Sequence, residues 1–216
     1  MSMSGQSGET VDPRDVVRKM EMDYSRGVKD QTEKALEAMV ELCARLEDPH
    51  ADFRAVLRDA ADLISRRFSI ASVAIAVRDP VDKMYRYETV VGVNDEVVKE
   101  FKRLSYTKEQ MLDDSKYKSY PISKMTRLYL SEDHPYADGE EFSYRMPGLL
   151  DMKRRSVTES LEADYVDVFI HGKGDDIFGW IELSGTRMRK LPDAATIRWT
   201  ELIACYLGMF LRLSGH

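Results

Sequence analysis

The sequence predicts an α+β fold in which β-hairpins lie between helices near the two ends of the chain. Three observations support this prediction. Apolar residues recur at helical spacing in the first third of the chain, they alternate with period two from Ser72 onward, and they return to helical spacing near the C-terminus.

The N-terminal region divides into a tail and a predicted helix. Residues 1–12 offer little apolar surface to bury, so we interpret them as a disordered tail. Asp12 followed by Pro13 is typical of a helix start, because Asp caps the first turn and Pro suits the first helical position. Residues 13–47 then carry a narrow apolar stripe at steps of three and four: Val17, Met20, Tyr24, Ala35, Met39, Leu42 and Leu46.

The width of this stripe predicts the role of the helix. A helix that packs on a globular core presents a face of about 100° or more, whereas a narrow seam is typical of helices that pair with each other. We therefore expect residues 13–47 to form a dimerisation and signalling helix. Docking of this helix on its own domain is the alternative, and the pattern leaves parallel and antiparallel pairing open.

Residues 48–216 are predicted to form one domain. Asp48 and Pro49 repeat the helix-start signal, and a broad apolar face then runs to Phe68. The period changes to two between Ser72 and Val77, which predicts the first strand. The small residues Ala74 and Ala76 share one face of that strand, so we expect another group to approach it closely.

The remaining strands are predicted in two groups. Residues 84–92 (MYRYETVVG) read as the returning strand of a hairpin, and Asn94 is a helix cap. A second hairpin is expected from residues 165–170 and 177–184, and Asp193 begins an apolar helix that runs to the end of the chain.

Residues 105–156 are the least regular part of the sequence and are rich in tyrosine and acidic residues. Residues 121–130 within them have the pattern of a strand, and the stretch SEDHPYADGEEF that follows is typical of a loop. Six of the eleven tyrosines lie in this insert: Tyr106, Tyr117, Tyr120, Tyr129, Tyr136 and Tyr144.

Composition excludes several classes of protein. The formal net charge is −6, which argues against a nucleic-acid partner. No apolar run approaches the roughly 20 residues of a membrane span, so we expect no membrane association. The two cysteines are far apart in sequence, which suits a cytoplasmic protein without a disulfide framework.

The common motifs of catalysis and cofactor binding do not occur in the sequence. It contains no GxxxxGK[ST], no GxGxxG before a helix, no HExxH, no CxxC and no GxSxG. The four histidines share no metal-ligand spacing, so we expect no metal site. The sequence therefore names no cofactor.

The order of elements resembles that of GAF domains. The resemblance covers residues of about 50–213 and is most specific in ADYVDVFIHGKGDDIFGWIELSG, which has the family's strand, Gly-containing turn and second strand. LPDAATIRWTELIACYLGMFLRL resembles the closing helix, and FRAVLRDAADLISRRF followed by IASVAIAVRD resembles the first core helix and strand. The resemblance implies a central antiparallel sheet, with the first and last helices on one face and the insert over a small-molecule pocket on the other.

The resemblance also implies a function. GAF domains are regulatory modules that bind small molecules or dimerise in signal transduction, so we expect a non-enzymatic sensor that forms homodimers through its N-terminal and C-terminal helices. The subclass patterns do not transfer: the cyclic-nucleotide pattern is not apparent, and residues 105–156 hold no cysteine for a bilin. The ligand, the output partner and the completeness of the chain are left open.

The predicted ligand-binding residues come from the strands and the insert, because tyrosine side chains combine a large apolar surface with a polar tip. A domain with a collapsed pocket that only binds other proteins is one alternative, and a small enzyme that uses Asp133 and His134 is another. The candidate ligand-binding residues are Tyr87, Thr89, Tyr106, Tyr120, Arg127, Tyr129, His134, Tyr144, Asp167 and Phe169.

Overall fold

The computed structural model describes residues 11–26, 36, 39–44, 52–174 and 176–214. The predicted disordered tail, residues 1–12, lies outside this part of the chain except for its last two residues. Residues 39–44 are also helical. The bounded helices are α1 (Pro13–Arg26), α2 (Phe53–Arg67), α3 (Asp95–Arg103), α4 (Lys108–Met111) and α5 (Ala194–Leu213).

The strands form one antiparallel sheet of seven strands, in the order β3-β2-β1-β7-β6-β5-β4. The predicted hairpins are confirmed, and β1 pairs with β7 at the centre of the sheet. The strands are β1 (Val73–Arg78), β2 (Tyr85–Val91), β3 (Ser105–Tyr106), β4 (Ser119–Pro121), β5 (Thr126–Tyr129), β6 (Tyr165–His171) and β7 (Ile177–Ser184).

Side-chain caps fix where the helices begin. Asp52 accepts a hydrogen bond from the amide of Ala55, so the first core helix begins at Phe53. Asn94 caps α3 and Asp193 caps α5, as the sequence predicts. Asp48, which carries the predicted helix-start signal, lies outside the described residues.

The larger apolar core lies on the face of the sheet that carries α2 and α5. Val73, Ile75 and Val77 of β1 point into it, and they are at most 3% exposed. Ala74 and Ala76 point to the opposite face, where a second, smaller apolar cluster packs under α3. The predicted alternation of β1 is therefore confirmed, and its two faces border two different layers of the protein.

The N-terminal helical residues pack on the domain itself. Val16, Val17 and Met20 of α1 are buried in the larger core, and so are Met39 and Leu42. The apolar stripe is therefore at least partly used within one chain, which is the alternative that its pattern left open. A continuous helix over residues 13–47 is not described, because residues 27–35 lie outside the described part.

A β-bulge in β2 shifts the alternation of its side chains between the two faces of the sheet. The register between β1 and β2 shifts between Ile75 and Ala76, so that Ile75 pairs with Thr89 and Ala76 pairs with Tyr87. Directly paired residues share a face of the sheet. Thr89 therefore lies with Ile75 on the helix-covered face, whereas Tyr87 lies with Ala76 on the opposite face.

A buried ion-pair cluster holds the end of the insert. The Arg154 side chain is 1% exposed, and its guanidinium donates to both oxygens of Asp164 at 2.7 and 2.9 Å and to Glu132 at 2.8 Å. Asp164 also accepts from the backbone amides of Ser131 and Leu161. These contacts join the 3₁₀ turn after β5 to the segment that leads into β6.

A helix that spans a bilayer must be both long and apolar. Within the described ranges, no helix meets both conditions.

Candidate functional site

A small cavity lies between the α3-side face of the sheet and the insert. Its volume is about 50 Å³, which is enough for a few water molecules or the head group of a small ligand. β2, β3, β5, β6 and β7 contribute side chains to its floor and walls, and the insert covers it. The lining residues are Tyr87, Phe101, Leu104, Tyr106, Met111, Tyr117, Tyr129, Pro135, Glu140, Ser143, Tyr144, Tyr165, Asp167, Trp180 and Glu182.

Two carboxylates meet on the floor of this cavity. Asp167 of β6 and Glu182 of β7 are direct partners in the antiparallel register, so their side chains project from the same face. Glu182 is also opposite Ala74 of β1, and Trp180 is opposite Ala76. The two alanines leave the space that the larger side chains of β7 occupy on this face.

The hydrogen bonds of the cavity leave one acceptor free. The Tyr87 hydroxyl donates to Glu182 Oε2 at 2.5 Å. Tyr106 and Tyr117 both donate to Glu140 Oε1, at 3.1 and 2.6 Å. Asp167 is 5% exposed, and its Oδ1 atom has no hydrogen-bond partner in the described structure. A buried oxygen without a donor is rare, because it loses its hydrogen bonds to water without replacement.

Burial makes both floor carboxylates weak acids. Burial and the charge of Glu182 raise the pKa of Asp167 well above its ordinary value, against the lowering effects of Arg127 and of a hydrogen bond from Tyr129. Burial raises the pKa of Glu182 to about 7, although its hydrogen bond from Tyr87 acts in the opposite direction. Because the two groups interact, they titrate as a pair.

The tyrosines of the cavity remain hydrogen-bond donors at neutral pH. Burial is the main cause that raises the pKa of Tyr87, Tyr144 and Tyr165 well above the ordinary value. Burial also raises the pKa of Tyr106 and Tyr117, and the neighbouring Glu140 adds to the shift. Each neutral hydroxyl offers one proton to an acceptor.

Aromatic rings form much of the wall around the carboxylates. Tyr87 and Tyr106 both pack against Trp180, with ring centroids 5.7 and 6.1 Å apart. Tyr129 stacks on Tyr165 at 4.3 Å. Such rings are rigid and present π-faces to the space between them.

A second cavity of about 60 Å³ adjoins the first. Five residues line both cavities and form the partition between them: Phe101, Ser143, Tyr144, Tyr165 and Glu182. Arg145 and Arg189 line only the second cavity. A movement of Tyr144 would therefore change the size and the charge of the space available to a ligand.

Five of the ten sequence-predicted ligand-binding residues line the first cavity. Tyr87 and Asp167 come from the sheet, Tyr106 from its short edge strand, Tyr129 from β5, and Tyr144 from the insert. The fold brings these five residues, which are distant in sequence, to one cavity. Their role in binding remains a prediction.

The other five do not line the cavity. Thr89 is turned to the helix-covered face by the β2 bulge. Tyr120 pairs with Leu128 and packs against the larger core. Arg127 extends to Ser119 and Asp114, Phe169 is buried within the smaller core, and His134 is exposed in a left-handed conformation.

Three further lining residues, Glu182, Trp180 and Glu140, are not among the sequence-predicted ligand-binding residues. Glu182 and Trp180 lie on β7, which reads in the sequence as an apolar strand, and Glu140 lies in a stretch whose composition is typical of a loop. A usable signal existed for Glu182, because a carboxylate in the middle of the apolar strand IFGWIELS is costly unless it has a function or a partner. Glu140 offered no comparable signal.

Asp133 and His134, the residues of the enzymatic alternative, do not line either cavity. Asp133 accepts hydrogen bonds from Lys118 at 2.6 Å and Tyr120 at 2.9 Å, and His134 contacts the Tyr136 hydroxyl at 3.3 Å. Among the described residues, no three or more His, Cys, Asp or Glu side chains are arranged to hold a metal ion.

Comparison with solved structures identifies the fold. The GAF domain of an Acinetobacter phosphoenolpyruvate-protein phosphotransferase matches with a TM-score of 0.54 at 9% identity, over 87% of this chain and 96% of that one. The GAF domain of A. aeolicus nlh2 in an inactive state matches with a TM-score of 0.54 at 14% identity, over 85% and 99%.

A third similar structure contains a ligand. It is the far-red absorbing dark state of JSC1_58120g3 with bound biliverdin IXα, and its TM-score is 0.50 at 12% identity, over 83% of this chain and 99% of that one. No protein-family model and no curated relative matches the sequence. The similarity therefore establishes that the chain has a GAF-like fold, and the predicted fold class is confirmed.

Proposed function

We propose that this GAF-like domain is a non-enzymatic sensor that binds a small molecule in the cavity under the insert and passes the signal on through its helices. The observation that carries the proposal is the unpartnered Oδ1 of Asp167, a buried acceptor that faces a cavity with room for a donor. A site built only for packing would gain stability from an apolar side chain at this position.

The insert is the element that we expect to respond to the ligand. Glu140 lies in its 3₁₀ turn at Glu140–Ser143 and is joined to the sheet edge by the hydroxyls of Tyr106 and Tyr117. The same turn packs beside α3. A ligand that competes for these hydroxyls would favour one of two arrangements of the insert, and its differential affinity for them would set the response.

We also propose that two copies associate through their terminal helices. Val17, Met20, Met39 and Leu42 are buried within the chain and are not available as a seam. The outer faces nevertheless expose large apolar side chains, among them Leu36, Val40, Leu202, Met209 and Leu213. A second copy would cover this surface and connect the two sensing units.

A bilin is a poor candidate for the ligand. The cavity of about 50 Å³ accommodates only a few heavy atoms, and the insert has no cysteine for covalent attachment. A protein-interaction domain with a filled cavity is the remaining alternative, since hydroxyl–carboxylate hydrogen bonds already occupy part of the space. Cytoplasmic localisation is part of the proposal and rests on the low cysteine content.

A screen of small metabolites by thermal shift tests the proposal, because a ligand that binds only the folded state raises Tm. Leu104 lines the cavity, and Leu104→Trp should fill it and abolish the shift. Leu63 is also partly buried, but it lies on α2 and packs against the larger core on the other side of the sheet, so Leu63→Trp is the matched control and should retain the shift. Absence of any hit, or hits that Leu104→Trp does not affect, would support the interaction domain instead.

A further inference from the structure

The charges that line the first cavity are of one sign. Asp167, Glu182 and Glu140 contribute carboxyl groups, and no Lys, Arg or His is found among the described residues of its wall. Arg127 of β5 is the direct cross-strand partner of Asp167, and its charge lowers the pKa of that carboxyl. Its side chain extends to Asp114 and Ser119, its guanidinium lies over the Phe169 ring, 5.7 Å from the centroid, and it does not line the cavity. The carboxyl groups of the cavity therefore have no basic side chain among its described lining residues, and Arg127 is the cation beside Asp167 in the sheet.

The free acceptor lies where this charge is concentrated. Asp167 is paired across the sheet with Glu182, and its Oδ1 is buried without a donor. Glu182 receives one hydrogen bond, from Tyr87, and Glu140 receives those of Tyr106 and Tyr117. A ligand on the floor of the cavity therefore meets hydrogen-bond acceptors, and Asp167 Oδ1 is the buried one that has no donor.

The aromatic wall suits a positive charge. Tyr87, Tyr106 and Trp180 form a contiguous group, and Tyr117 packs edge-on against Tyr106 with centroids 6.3 Å apart. Cations are attracted to the faces of such rings, most strongly to tryptophan and most of all when they are removed from water. Carboxylates beneath an aromatic wall are a combination that recognises ammonium groups.

We infer that the ligand of this cavity carries a compact organic cation, either a protonated amine or a methylated ammonium group. The charged nitrogen sits over the Asp167–Glu182 pair, with its donors or methyl groups against Tyr87, Tyr106 and Trp180. The cavity of about 50 Å³ limits the buried part to a small head group. This inference rests on the proposed function and specifies the chemistry of its ligand.

Two simple salts serve as probes. Ethylammonium chloride and trimethylammonium chloride are titrated into the full chain at pH 7.5 and followed by calorimetry, with KCl at matched ionic strength. Ethanol and tert-butanol are the uncharged analogues of similar size. Both ammonium ions should bind, the alcohols should bind at least tenfold more weakly, and the binding heat should depend on the buffer because the pair releases protons as the cation enters.

Variants locate the binding site. Asp167→Asn and Glu182→Gln each replace a carboxyl group that can ionise with an amide of similar shape, and each should weaken ammonium binding tenfold or more. Glu88→Gln, on β2 outside the cavity wall, is the matched control and should bind as the parent does. Circular dichroism and Tm identify any variant that fails to fold, and Tyr87→Phe then provides a second change at the site.

The outcomes separate this inference from the proposed function. Equal binding of alcohols and ammonium ions, or full binding by Asp167→Asn and Glu182→Gln, would overturn the choice of a cation. Neutral or anionic metabolites whose thermal shift Leu104→Trp abolishes would also overturn it, while they support a small-molecule sensor. If neither the salts nor any metabolite binds, both proposals fail.

Discussion

Asp167 on β6 lies directly opposite Glu182 on β7, so two buried carboxyl groups face each other in the sheet, and Arg127 on β5 is the partner of Asp167 on its other side. Like charges in directly opposed positions destabilise a sheet. The cost is reduced when the pair holds a proton or when a positive group sits over it. The pair therefore links the stability of the fold to pH and to the proposed ligand.

Glu182→Gln should remove a pH-dependent loss of stability. Burial raises the pKa of Glu182 to about 7 from an ordinary 4.5, so the folded state holds this proton more tightly than the unfolded chain. The stabilising effect of the proton is complete below pH 4.5 and is lost as pH rises toward 7 and above. The free energy of unfolding of the parent should therefore be lower at pH 8 than at pH 5 by up to roughly 3 kcal/mol. Glu182→Gln should not show this loss, because glutamine does not ionise.

Urea unfolding at pH 5 and pH 8 measures this difference. The stability of Glu182→Gln relative to the parent should be greater at pH 8 than at pH 5. Tyr87 on β2, Asp167 on β6 and Glu140 in the insert face Glu182, and Glu100→Gln on α3 is the control outside this group. An equal effect of Glu182→Gln at both pH values would contradict the prediction.

Arg154→Met should destabilise the protein far more than the loss of an exposed ion pair. It leaves the buried carboxyl of Asp164 without its guanidinium, and breaking a buried pair costs about 3–5 kcal/mol. Arg103→Met breaks the surface pair with Glu100 and should cost at most about 1 kcal/mol. Urea unfolding gives the totals, and hydrogen exchange should show the largest loss of protection between residues 131 and 164.

If Arg154→Met and Arg103→Met lowered the free energy of unfolding by similar amounts, the buried ion-pair cluster would not hold the insert. An even loss of protection over the whole sheet would indicate global destabilisation, and it would remove the reason to treat the insert as a separately responding element.

The sequence predicted the central part of the fold because its signals are local. The period-two alternation of Val73, Ile75 and Val77 and the caps Asn94 and Asp193 depend on neighbouring residues alone, and the structure confirms each of them. The narrow stripe of residues 13–47 was less informative. It marks which side chains need burial, and it does not distinguish a second copy from the chain's own core.

The candidate site was harder to predict because its composition depends on register. The bulge opposite Ile75 and Ala76 places Tyr87 toward the cavity and Thr89 away from it, although both share one face of an ideal strand. The meeting of Asp167 with Glu182 likewise depends on the alignment of β6 with β7. The spacing of residues along the chain predicts neither of these strand alignments.

Gly179→Ala should weaken the centre of the sheet. A Cβ atom at Gly179 would lie 2.0 Å from the carbonyl oxygen of Ala76, so β1 and β7 would have to separate. Overpacking of this kind costs about 1–3 kcal/mol or more. Gly148→Ala is the control, because nothing lies within 4 Å of its added Cβ, and urea unfolding should show a change within about 0.5 kcal/mol.

Because Trp180 and Glu182 follow Gly179 on the same strand, Gly179→Ala should also disturb the cavity, and the fluorescence of Trp180 should change. A variant as stable as Gly148→Ala would mean that the two strands are less closely packed at this point than the structure indicates.

The proposed dimer predicts a change of mass on substitution of the outer helix surface. Val40 and Leu213 are 67% and 86% exposed, and the double variant Val40→Glu/Leu213→Glu places two charges per chain in the proposed interface. Light scattering should give twice the mass of one chain for the parent and the mass of one chain for the variant. Val81→Glu, at an 88% exposed position in the β1–β2 turn, is the matched control and should stay dimeric.

A fold control and two possible outcomes decide whether the terminal helices form the dimer interface. Both substituted positions are exposed, so the double variant should retain the parent's monomer fold by circular dichroism, and substitution at such positions changes stability by about 0.5 kcal/mol or less. If the parent is a monomer at every concentration tested, the exposed residues do not bind a second copy. If the double variant remains dimeric, two copies associate through another surface, and the proposal that the terminal helices connect the two sensing units is wrong.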